Sequence, residues 1–171
     1  MLAVFLSAVA GGRVALAEMN GTGCIRQAGI ILSNNFHCKY NKIKKLISIH
    51  VQSDCSEVAG LMSGGYDYVV IDFGCDFERS RQEFLMCGAK LVVGSLSWWK
   101  IHEYVGFAAR TEGEASRNRW KFLAVSPVAE GIRYLKKELG ISVGVILCEP
   151  DPFCLREQSM EFLRELTCGF F

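Results

Sequence analysis

Hydrophobic and polar residues follow one another along the chain in short blocks, and these blocks predict strands and helices in alternation. Runs rich in Val, Ile, Leu and aromatic residues, bounded by turn-forming residues, predict buried strands. A segment that alternates apolar and polar side chains predicts a further strand at a sheet edge. The buried strands are predicted over 13–19, 66–74, 90–95, 120–126 and 141–147, and the edge strand over 46–51.

Helices are predicted between these strands, with recognisable signals at several of their ends. Asp76 is a predicted N-cap, as is either Ser53 or Asp54 for the preceding helix. Pro127 opens a helix that Gly140 closes. The predicted helices cover 2–10, 24–32, 53–62, 77–87, 98–109, 127–139 and 155–166. This alternation predicts a single α/β domain over 1–171, with a mostly parallel sheet between helices.

The composition fits a sheet that is covered by helices on both faces. Half of the 171 residues are hydrophobic, and the mean hydropathy is +0.21. No apolar stretch reaches about 18 residues, so the sequence predicts no membrane span. The net charge of +1 gives no reason to expect nucleic acid or an acidic partner.

Two features bear on the cellular compartment. The first 17 residues resemble a signal peptide in their apolar run, but no basic residue precedes that run and Arg13 follows it. The eight Cys form no CxxC pair and no zinc-type spacing, and His37 beside Cys38 is poor geometry for one metal ion. We expect reduced thiols in a cytoplasmic protein rather than a disulfide framework, with Cys87 and Cys148 buried in apolar runs.

One carboxylate stands out as a candidate for chemistry. Asp72 lies near the end of the strongly apolar segment 66–74, and Gly74 follows two residues later. Ligands of parallel sheets bind outside the carboxyl ends of the strands, where an Asp can hold the water shell of Mg²⁺. An equally good interpretation of Asp72 is that it is simply the polar end of a buried strand. The chain contains no G-x-x-x-x-G-K-[ST] phosphate loop, because no Lys follows a Gly.

Four segments, taken in order, resemble the MinD/ParA class of P-loop ATPases, which includes CpaE-like and septum-site-determining proteins. They are 14–21 (family pattern V-x-x-I-D-x-D), 66–74 (the Walker B strand), 90–97 (the next strand and its serine-bearing turn) and 139–152 (L-G-[VI]-x-V-x-G-x-I-P-x-D-P). The resemblance implies a P-loop NTPase-like, three-layer αβα fold. It also implies that Asp72 is a relic Walker B residue of the Mg²⁺ shell, and that Glu18 and Asn20 form a relic switch-like strand end.

The chain also departs from the family pattern. Its first residues resemble the helix that follows the phosphate loop, so we expect an N-terminally truncated fold whose first strand and Walker A loop are lost or encoded upstream. Asn20 stands where the family usually has a second carboxylate, and Ser126-Pro127 where a base-contacting Asn often lies. These departures imply a degenerate homologue without competent ATP hydrolysis and without a cofactor. If the loop lies upstream, the implied protein is an active ATPase that uses Mg-ATP.

Two surfaces are candidates for contacts with partners. An exposed Trp98 or Trp99 would mark an interaction surface, although one of the two could instead cap the core. Because the class usually dimerises across its nucleotide, this chain is expected to contact another protein instead, such as an intact homologue, which would cover an open sheet edge. The second is a basic patch over 39–45, which is more consistent with a solvated face than with nucleic-acid binding. Its lysines are Lys39, Lys42, Lys44 and Lys45.

Overall fold

The structure, a computed structural model, describes residues 1–27 and 46–170 of the chain. All strand pairs in this part are parallel, so the predicted α/β class is confirmed. The chain divides into two compact units, the first comprising Met1–Met86 and Glu149–Cys168 and the second Cys87–Cys148 and Gly169–Phe171. A single domain over 1–171 stays a prediction.

The observed elements follow the predicted order with shorter bounds, except that the predicted helix over 24–32 extends into residues outside the described part of the chain. In chain order they are α1 (Leu2–Ala8), β1 (Val14–Glu18), β2 (Ile47–His50), α2 (Cys55–Ser63), β3 (Tyr68–Asp72), α3 (Phe77–Met86), β4 (Leu91–Gly94), α4 (Ile101–Arg110), a 3-10 turn (Arg117–Arg119), β5 (Lys121–Ala124), α5 (Ala129–Leu139), β6 (Val143–Val145) and α6 (Glu157–Thr167). Of the two candidate caps for α2, Asp54 is the one used, and its side chain accepts from the backbone N of Glu57 at 2.8 Å. No described helix is long and apolar enough to cross a bilayer.

The first unit is a three-stranded sheet of order β2-β1-β3 with helices on both faces. Successive side chains of β1 point to opposite faces, as strand geometry requires. Val14 packs against α1 and α6 through Phe5 and Leu163, whereas Ala15 packs against Val58 of α2. The strand between these layers is almost entirely buried, which explains its apolar sequence.

The two outer strands of this sheet differ in how well the sequence predicted them. β2 lies at an edge, as its alternating pattern predicted. β3 was predicted in the middle of a sheet, beside the Lys90 strand or beside a missing strand. Among the described strands β3 pairs with β1 alone and β4 pairs with β5, so the position beside the Lys90 strand is wrong, whereas the position beside a missing strand stays a prediction. Helices on both faces keep every residue of β3 half-buried, so its hydrophobicity did not distinguish a central strand from a terminal one.

The second unit is a sheet of order β4-β5-β6 against which α4 packs closely. The Tyr104 ring of α4 lies directly over Gly94, where an added Cβ would come within 2.1 Å of Tyr104 Cδ2. The Tyr104 hydroxyl donates to the Leu123 carbonyl of β5 at 3.2 Å. Gly94 is therefore required by this close approach, since any larger residue would displace the aromatic ring.

Candidate functional site

The candidate site lies at the carboxyl ends of β1 and β3. In their parallel register Glu18 is the partner of Asp72, so these two predicted site residues are neighbours. The backbone N of Met19 donates to the Asp72 carbonyl at 2.9 Å, and Asn20 Nδ2 donates to the same oxygen at 3.1 Å. The structure thus brings together the three residues that sequence analysis placed in one site: Glu18, Asn20 and Asp72.

Glu18 is a buried carboxylate, with 0% of its surface exposed. Its Oε1 accepts from Thr22 Oγ1 at 3.0 Å and from the backbone N of Ile25 at 3.4 Å. Its Oε2 is buried without a hydrogen-bond partner among the described residues. Glu18 is therefore not a solvated strand end, because the turn after β1 folds back over the carboxylate.

Both the nitrogen and the oxygen of the Asn20 side-chain amide form hydrogen bonds. Its Nδ2 holds the Asp72 carbonyl, and its Oδ1 accepts from the backbone N of Thr22 at 3.0 Å and from Thr22 Oγ1 at 2.5 Å. The same hydroxyl is thereby shared between Asn20 and Glu18. Asn20 therefore ties β3 to the turn after β1, and Thr22 is a site residue that sequence analysis missed. Nothing in the spacing of a Thr four residues after a Glu distinguishes it from an ordinary turn.

The Asp72 side chain is fixed by the turn that follows β3. Its Oδ1 accepts from the backbone N of Gly74 at 2.9 Å, and Gly74 has a φ of +68°. A Cβ on Gly74 would lie 2.7 Å from Asn20 Cβ, so both the backbone angle and the space require glycine here. The two strand ends are thus locked together through Gly74 and Asn20.

The site as described is acidic and self-contained. None of the hydrogen bonds given for Glu18, Asn20 and Asp72 within residues 1–27 and 46–170 comes from a Lys, Arg or His side chain. In that same part of the chain no group of three or more His, Cys, Asp or Glu is arranged to hold a metal ion. The polar atoms mainly satisfy one another, an arrangement that orders two strand ends but neutralises no bound anion.

Trp98 and Trp99 lie in the turn before α4 rather than within the predicted helix over 98–109. Their exposed fractions are 64% and 77%, so neither caps the core, and the prediction that one might is wrong. The buried residue of this segment is Leu96. The helix begins at Ile101. Lys100, the residue before it, forms an ion pair with Glu103 in its first turn at 2.8 Å.

The cysteines are free throughout the described residues. Six of these seven thiols are exposed, Cys148 among them, so its expected burial is wrong. The reason is that β6 ends at Val145 and leaves Cys148 in the loop beyond it. Cys87 is half-buried, and this burial raises the pKa of its thiol. The Cys55 thiol donates to Glu83 Oε1 at 2.7 Å, which raises the pKa of Cys55.

The basic patch over 39–45 lies outside the described residues. Comparison of the sequence with protein-family models gives no match. Comparison with curated proteins gives no significant match either.

Proposed function

We propose that this chain is a degenerate homologue of the MinD/ParA-like P-loop ATPases, without competent ATP hydrolysis, that acts through contacts with another protein. The observation that carries the proposal is that the side-chain donors at the carboxyl edge of the first unit form hydrogen bonds within the protein. Asn20 and Thr22 spend their donors on Asp72 and Glu18 instead of presenting them to a ligand.

Electrostatics supports the loss of activity. A nucleotide polyphosphate needs backbone N–H groups, a Lys and Mg²⁺ to neutralise its charge. At this edge it would face the carboxylate of Asp72, with the carboxylate of Glu18 buried beside it, and these 171 residues contain no Walker A sequence. Like charges at such short range would oppose binding of the phosphates. We therefore expect no cofactor to be bound by this chain alone.

Two exposed features support a role in protein contacts. Trp98 and Trp99 present large aromatic surfaces, and Trp is enriched among residues that dominate binding energy at interfaces. β3 has a single strand partner in the described part of the chain, and an unpaired apolar edge is a template for pairing with another chain. An intact homologue is the partner we propose, in the cytoplasm, where free thiols persist.

Sedimentation of the purified chain with and without Mg-ATP tests the loss of activity. We expect the same sedimentation coefficient in both conditions and no phosphate release above a protein-free control. Asp72→Asn should leave both results unchanged, because the amide oxygen still accepts from Gly74. A Mg-ATP-induced shift from monomer to dimer, abolished in Asp72→Asn, would refute the proposal.

The protein contact is tested separately with a defined partner. A homologue that carries an intact Walker A sequence is titrated with the chain, and binding is followed by sedimentation. Trp98→Ser with Trp99→Ser should weaken binding at least tenfold, whereas Tyr134→Ser, another exposed aromatic of the second unit, should not. Absence of binding by the unmodified chain would remove this partner while leaving the loss of ATP hydrolysis intact.

A further inference from the structure

A small open cavity lies within the second unit, at the amino ends of β4 and β5. This is the opposite end of the strands from their carboxyl edge. The described residues that line it are Gly88, Lys90, Ser116, Arg119 and Trp120. Two of these are cationic and none is acidic, so the lining has a net positive charge.

Lys90 is an unusual residue in this cavity because it is only 8% exposed. Its Nζ donates to the carbonyl of Cys87, and no salt bridge of Lys90 occurs within the described part of the chain. An ammonium has three donors, and burying it without a counter-charge is unfavourable. The buried cation therefore has the capacity to bind an anion in the adjacent cavity.

The backbone fixes the cationic residues in place. The carbonyl of Lys90 accepts from the backbone N of Lys121 at 3.0 Å, which anchors Lys90 at the start of the sheet. Ser116 has a φ of 58°, and its carbonyl accepts from the backbone N of Arg119 at 2.9 Å, closing the short turn. Trp120 is held by stacking on Phe122, with ring centroids 6.5 Å apart. The lining is therefore preorganised on rigid elements.

Arg119 adds a second positive charge at the cavity. Its side chain is exposed, and it forms no salt bridge with another described residue. A guanidinium can bind two oxygens of a phosphate or carboxylate at once, whereas a buried ammonium acts as a point charge. Together the two cations give this open cavity the charge to bind a small oxyanion or the phosphate group of a larger ligand.

We infer that the second unit binds a phosphate group between Lys90 and Arg119, with the Ser116 hydroxyl as a further donor. This site is independent of the carboxyl edge of the first unit and of the proposed loss of ATP hydrolysis. The phosphate site lies at the amino ends of β4 and β5, where sequence analysis predicted no function.

The test uses Trp120 as the reporter, in a background in which Trp98 and Trp99, the other two Trp of the chain, are replaced by Phe. Inorganic phosphate is titrated at constant ionic strength, with sodium chloride and sodium acetate as parallel titrations. We expect a saturable change in Trp120 fluorescence with phosphate, a weaker response with acetate and none with chloride. Equal responses to phosphate and acetate would overturn the phosphate assignment.

Charge substitutions complete the test. Arg119→Gln, at an exposed position where folding is not at risk, should weaken phosphate binding about tenfold or more. Lys90→Gln should abolish it if the variant folds. The matched control is Arg133→Gln in the same unit, where the guanidinium pairs with Glu130 at 2.9 Å, and it should leave binding unchanged. Equal affinities for Arg119→Gln and Arg133→Gln, or no saturable response at all, would overturn the proposal.

Discussion

The two units build the same kind of sheet but end it with different chemistry. In the first, the strand ends carry Glu18 and Asp72, tied together by Asn20. In the second, the hydroxyls of Ser95 and Ser97 lie 3.0 Å apart after β4. In each unit a glycine lies against a side chain: Gly74 against Asn20 in the first, and Gly94 against Tyr104 in the second. The first of these side chains is polar and the second is aromatic. Strand pairing therefore fixes where a site can lie, and the residues just after each strand decide its charge.

The largest effect is expected where the second unit packs most closely. In Gly94→Ala the new Cβ would lie 2.1 Å from Tyr104 Cδ2, so the ring and α4 must move. We expect a loss of roughly 3 kcal/mol or more in the free energy of unfolding, measured by urea denaturation. Gly106→Ala is the control, because its Cβ would meet only Arg110 Nη1 at 3.6 Å. That variant should be neutral or more stable by up to about 1 kcal/mol.

The corresponding change in the first unit is Gly74→Ala. It combines a positive φ with a Cβ that would lie 2.7 Å from Asn20 Cβ. We expect a loss of roughly 2–3 kcal/mol in thermal or urea unfolding, somewhat below the effect at Gly94 because a turn can adjust more easily than a packed sheet. Gly21→Ala should stay within about 0.5 kcal/mol, since open space surrounds that position. Equal losses of stability in Gly74→Ala and Gly21→Ala would mean that the contact with Asn20 does not contribute to the free energy of unfolding.

The difference in charge between the two strand ends can be tested by removing one hydroxyl from each. Thr22→Val leaves the buried Glu18 carboxylate with the Ile25 N–H at 3.4 Å as its described donor. We expect a loss of about 2 kcal/mol, because the substitution leaves a buried carboxyl oxygen short of a donor and also removes the bond to Asn20. Ser95→Ala breaks bonds to the hydroxyl and to the backbone N of Ser97, both neutral groups, and should lose about 1 kcal/mol or less. Equal losses by denaturation would mean that the bond to the Glu18 carboxyl contributes no more to stability than the bonds of Ser95.

The order of the elements was predictable because local signals mark each one. Asp54 caps α2, and Gly140, with a φ of 64°, ends α5, as turn chemistry predicted. The meeting of Glu18 and Asp72 also follows from parallel strands that end at one edge. The burial of Glu18 was not predictable, because it depends on a turn that folds back through Thr22. The cationic cavity was missed for a similar reason, since Lys90 and Arg119 meet only through tertiary structure.

The smallest effect on stability is expected at Tyr104 of the second unit, and it depends on alkaline pH. Burial raises the pKa of Tyr104 well above its ordinary value of about 10. The native state therefore keeps a proton that the unfolded chain releases above about pH 10, so stability falls as pH rises beyond that point.

Tyr104→Phe lacks this proton and also the hydrogen bond to Leu123. At pH 8 the variant should be less stable than the unmodified chain by about 1 kcal/mol. Above pH 10 that difference should shrink by up to about 1.4 kcal/mol per pH unit. A difference that stays constant from pH 8 to 11 in urea denaturation would show that Tyr104 ionises freely in the native state, and that its packing on Gly94 is looser than the distances imply.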